Sequence, residues 1–211
     1  MQSRAFERSA GYTAVLAGIV GFLYSVSFVL ISRSNSTLGG ALAATFLLAG
    51  GVLSIQALAA VYRTLREVDP GFALVGFMFG FAGALGAAIH GAWDLANVAH
   101  PVASPLGELP FAADPRGVLT FGFAGIAMLV IARLVQRGAT LPRGLGAILP
   151  RGLAMLGYVS GVLLILTYLG RLIVYDASSL LILVPAGLEG FIVNPIWYVW
   201  LGVALLRGQR A

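Results

Sequence analysis

Few side chains in this sequence can do chemistry, and their spacing says which kinds. His90 and Asp94 stand four residues apart, which on a helix stacks them on one face. Such a pair suits a metal, with Glu189 or Asp176 available to complete the site. It equally suits a carboxylate–imidazole hydrogen bond that ties helices together. Glu189 lies about ten residues inside an apolar run, roughly 15 Å deep at the helical rise. An ionised side chain at a bilayer centre costs from about 2.5 kcal/mol upward. Glu189 is therefore expected to be neutral or partnered, with Arg171 the first candidate and Asp94 competing for the same guanidinium. Pro185 and Pro195 flank Glu189, and each deletes a helical hydrogen bond and bends the chain. Asn194, beside the second proline, is placed to cap or bridge the broken ladder.

Other chemistries are excluded by what the chain lacks. It has no cysteine, hence no disulfide, thiolate metal site or cysteine-ligated cluster. It has no lysine, since all 13 basic residues are arginine, so Schiff-base chemistry is out. The two histidines, His90 and His100, lie about 15 Å apart along a helix and cannot clamp one haem iron from it. There is no G-x-S-x-G elbow and no H-E-x-x-H motif. The membrane zinc hydrolases that resemble ceramidases need three histidines. Among enzymes, only a metal-dependent one built on His90 and Asp94 stays open, and no motif names a cofactor.

The elements that would position these groups follow from composition. Of 211 residues 59% are hydrophobic and 10% charged, with mean hydropathy +0.95. Soluble domains carry roughly 25% charge. Apolar runs at about 11–32, 38–62, 71–98, 118–134, 152–174 and 179–206 are each long enough to cross a bilayer as helix and too long for membrane β-strands. The expected fold is all-α, one integral membrane bundle of six transmembrane helices over 1–211. The first run exceeds a signal-peptide core and shows no small-residue cleavage site, so it reads as a retained helix. With both termini cytoplasmic, ten arginines (4, 8, 63, 66, 133, 137, 143, 151, 207 and 210) fall inside and three (33, 116 and 171) outside, the expected positive-inside bias. The outer connection from about Ala99 to Pro115 is placed to lie over the bundle as a lid, and Gly138–Arg151 reads as a cytoplasmic loop.

Small residues form seams that turn polar toward the outside. The third span aligns Gly76, Gly80, Gly83, Ala87, His90, Asp94 and Asn97; the fifth aligns Gly157, Gly161, Leu164, Tyr168, Arg171 and Tyr175; the first aligns Ala14, Gly18, Gly21 and Ser25. The expectation is an outer-half ligand pocket walled by His90, Asp94, Asn97, Tyr168, Arg171, Tyr175 and Glu189, with Tyr24 and Ser25 nearby. Trp93, Trp197, Tyr198 and Trp200 read as interface anchors or packing residues.

The stretches RGATLPRGLGAILPRGLAMLGYVSGVLLIL and PAGLEGFIVNPIWYVWLGVALLRG resemble a family of bacterial multi-pass membrane proteins catalogued only as a domain of unknown function. The shared marks are an LPR-x-LG turn before the penultimate span and a W-x-x-W-L-G-x-x-L final helix. The resemblance implies a bacterial inner-membrane location and brings no activity or substrate. Three functional readings follow. The first is a non-enzymatic bundle that binds a lipid-like or small amphipathic ligand or serves as an accessory subunit. The second is a small proton- or ion-coupled transporter using Glu189. The third is the His90/Asp94 metalloenzyme. Expected partners are membrane lipid and other membrane subunits or further copies of the chain, not nucleic acid.

Overall fold

The structure is a computed structural model, and it describes residues 2–101, 115–139, 149–174 and 179–207. Six helices are long and apolar enough to cross a membrane: α1 (Ala5–Ser34), α2 (Ser36–Leu65), α3 (Pro70–Ala99), α4 (Val118–Gly138), α5 (Arg151–Val174) and α6 (Leu180–Arg207). No strand occurs among the described residues. The all-α, six-span expectation holds, and six such helices fit an integral, multi-pass membrane protein. The apolar helices run longer than several of the expected spans, because capping residues rather than hydropathy set their ends. The Asn35 side chain accepts from the Leu38 N–H at 2.9 Å, and Asp69 from the Phe72 N–H at 3.1 Å with Pro70 in the first helical turn. Both caps restart a helix within a few residues of the previous one, which forces neighbours antiparallel. The expected lid and cytoplasmic loop fall largely outside the described residues.

Each helix packs on the next in sequence, and α6 packs on α1, closing a ring. Lipid offers little hydrophobic gain for pressing helices together, so close backbone approach must do it. Gly125 on α4 and Gly161 on α5 face each other: a Cβ on Gly161 would lie 2.9 Å from the Gly125 carbonyl oxygen and 2.7 Å from Leu129. Gly11 on α1 meets Gly202 and Leu206 on α6 in the same way, and Gly18 meets Pro195. The α1–α6 seam therefore runs antiparallel and brings the start of α1 and the end of α6 to one end of the bundle, termed here the near end.

The interior is divided along its axis. The near half is a packed apolar core that includes Ala14, Leu58, Val61, Leu134, Leu153, Trp197 and Leu201. Trp197 is fully buried, and its Nε1 donates to the Leu153 carbonyl at 3.2 Å. The buried polar side chains among the described residues lie at mid-depth or beyond: Ser25, Ser27, Ser54, His90, Thr120, Ser160, Thr167 and Glu189.

Among the described residues, three helices leave α geometry in the far half or near the middle. The π turns are Val26–Ile31 in α1, Val118–Phe123 in α4 and Glu189–Val193 in α6. A π turn displaces backbone hydrogen bonds by one residue and is frequent at functional sites. In α6 it falls between Pro185 and Pro195, where the expected bend lies.

Gly161→Ala is expected to cost about 1–3 kcal/mol through overpacking, whereas Gly187→Ala, with nothing within 4 Å of the added atom, should stabilise by about 0.5–1 kcal/mol through helix propensity. Unfolding titrations with SDS in mixed micelles, compared between the two variants, measure both.

Candidate functional site

The far-end cluster grows from the C-terminal part of α3 and the start of α4. Gly86 permits this contact, because a Cβ there would meet Leu119 and the Thr120 backbone. His90 is buried, with its Nδ1 3.4 Å from Thr120 Oγ1 and its Nε2 3.5 Å from Asp94 Oδ2. Asp94 Oδ1 accepts from Arg116 Nη1 at 3.2 Å. Thr120 donates to the Arg116 carbonyl at 2.9 Å, stitching the π turn to the short helical turn Pro115–Gly117. The Arg116 guanidinium lies 5.5 Å from the ring centre of Trp93, which is 60% exposed. Asp94, with a side chain 38% exposed, is thus a hub between an imidazole and a guanidinium.

The other residues of the expected pocket are distributed around this hub. Tyr168 packs beside Gly117 and Gly122 at the start of α4. Arg171 lies 5.8 Å from the Phe121 ring centre. Tyr24 stacks on Phe28, with ring centres 5.8 Å apart. Asn97 is exposed on α3. Tyr175 and Asp176 lie outside the described residues. Among the described residues no group of three His, Asp or Glu side chains is gathered as metal ligands.

Glu189 belongs to a separate, deeper cluster. Its Oε1 accepts from Ser160 Oγ at 2.6 Å, and its Oε2 has no hydrogen-bond partner. The residue is 6% exposed. Here the structure corrects the expected pairing: the hydroxyl of Ser160, not the guanidinium of Arg171, holds Glu189. The reason is depth. Ser160 and Arg171 are on one helix, eleven residues and thus about 16 Å apart, and Glu189 sits at the level of Ser160. Asp94 in turn is taken by Arg116. Asn194 does not bridge the break with its side chain. Its backbone N–H donates to the Glu189 carbonyl, and its side-chain amide packs on Gly21 of α1.

Sequence reasoning missed Ser160, Arg116 and Thr120. Ser160 sits on the same face as Gly157 and Gly161, so the small-residue seam carried the signal. Arg116 and Thr120 stand four apart at the head of the fourth span, a helical spacing hidden because the apolar run begins only at Val118. No family model, curated protein or solved structure matches the chain.

Asp94→Asn and Arg116→Ala are each expected to cost about 0.5–1 kcal/mol, the range for a partly exposed ion pair. The double variant should cost no more than the larger single effect. A double-mutant cycle read by SDS unfolding tests this.

Proposed function

We propose that this chain is a non-enzymatic multi-pass membrane protein that binds a lipid-like or small amphipathic ligand through the far half of its bundle. One observation carries the reading: the interior is apolar and packed in the near half and polar in the far half, where partly exposed Asp94 and Arg116 meet beside exposed Trp93. A ligand with a polar head and an apolar body matches that division. The head would meet the Asp94–Arg116 end, and the body would lie along the apolar helix faces. The arginine bias supports an orientation with the near end in the cytoplasm. The resemblance of the last third to a bacterial family supports a bacterial inner membrane.

Native mass spectrometry from mild detergent is expected to show a retained lipid-sized adduct, reduced in the Asp94→Asn/Arg116→Ala double variant. A bare monomer in both proteins would end this reading. The same spectra report whether a second copy or another subunit is retained.

A second reading, a small proton- or ion-coupled transporter using Glu189, is favoured by a different observation. The buried carboxylate keeps one oxygen without a partner, at the point where α6 is broken between two prolines. Transporters place ion sites where spanning helices are interrupted near mid-membrane. Glu189→Gln should abolish flux in proteoliposomes while leaving the protein folded, and normal flux in that variant would end the second reading.

A further inference from the structure

Two hydroxyls that touch the Glu189–Gly190 turn are already committed as donors. The Ser160 hydroxyl proton is already directed to Glu189 Oε1. The Ser25 hydroxyl donates to the Gly21 carbonyl at 3.3 Å. Both hydroxyls therefore have only lone pairs left to offer. Glu189 Oε2 has no partner although the residue is more than nine-tenths buried.

The helix break adds a further acceptor. The Asn194 N–H donates to the Glu189 carbonyl, five residues back. The next residue, Pro195, has no N–H. The Gly190 carbonyl thus loses its four-residue donor, which is engaged elsewhere, and its five-residue donor, which does not exist. Gly190 packs directly on Ser25 Oγ: a Cβ at Gly190 would overlap that atom. Ser160 of α5 thus touches the Glu189 carboxyl and Ser25 of α1 touches the adjoining Gly190, so oxygens of three helices flank the turn that carries a single formal negative charge.

Resting on the transport reading of Glu189, we propose that this cluster is a binding site for one dehydrated monovalent cation of the sodium class. Glu189 Oε2, the Gly190 carbonyl and Ser25 Oγ supply oxygen ligands, and Ser160 orients the carboxylate. Oxygen ligands suit hard cations. One carboxylate neutralises one positive charge, so a divalent ion would keep an uncompensated charge in the bundle interior. Interrupted membrane helices supply freed carbonyls to sodium in this way. The ion gives Oε2 the partner that the protein withholds.

The test is equilibrium binding of radioactive sodium to the full chain in detergent at alkaline pH, with choline as the background salt and lithium and potassium as competitors. Wild-type protein is expected to bind one sodium saturably. Glu189→Gln should lose binding, and Ser160→Ala should weaken it about tenfold, as loss of a ligand-orienting partner does. Ser25→Ala, which alters a hydroxyl outside the carboxylate pair, should also weaken it and guards against Glu189→Gln failing to fold. Folded wild-type protein that binds none of the three ions would overturn the site, as would unchanged binding in folded Glu189→Gln. Proteoliposome flux separates the two ideas. Glu189-dependent proton flux without cation binding sinks the cation site and keeps the transport reading. Sodium binding without flux keeps the site and sinks the transport reading.

Discussion

The bundle depends on how closely two backbones can approach when one of them contributes no side chain. Water drives soluble helices together, but lipid competes for the same apolar surface. Here the backbone of α5 meets that of α4 at Gly161 and Gly125, and α1 meets α6 at Gly11 and Gly202. These contacts set the distance between helices, and everything else in the ring fits the space that remains. In the near half that space is filled by Leu, Val and Trp197; toward the far half it holds hydroxyls, one imidazole and one carboxyl.

Polar groups in such an interior need partners, and the structure supplies them unevenly. Around Asp94 the needs are met: imidazole, guanidinium and threonine hydroxyl share the load across α3 and the head of α4. Around Glu189 they are met only in part: Ser160 serves one carboxyl oxygen, and the other has no hydrogen-bond partner, at the π turn that precedes Pro195. Two clusters on one bundle thus differ in kind. One is a satisfied network close to the surface, and the other is an incomplete one near the middle.

The legible part of this protein was the part governed by long-range averages. Hydropathy over twenty residues was enough for six helices, and seams of small residues showed which faces touch. Pairing was harder to read. Arg171 is the obvious partner for Glu189 by charge, yet helical rise puts it about 16 Å along α5 from the level of Glu189, while Ser160 lay unnoticed between two glycines. The π turns were not readable either. Val26–Ile31 contains no proline or glycine, so no helix breaker announces it. Of the seven expected pocket walls, Asp94 and Glu189 each anchor a hydrogen-bonded cluster, and Tyr175 lies outside the described residues.

Ring closure has a consequence for biogenesis. Helices leave the ribosome in order, yet α6, made last of the six, must dock against α1, made first. Until it does, the glycine seam of α1 faces lipid and Ser160 has no carboxylate to hold. Insertion of α6 is then more than the addition of a span. It is the step that carries a carboxyl into the membrane, and the partner waiting on α5 lowers the cost of leaving it there.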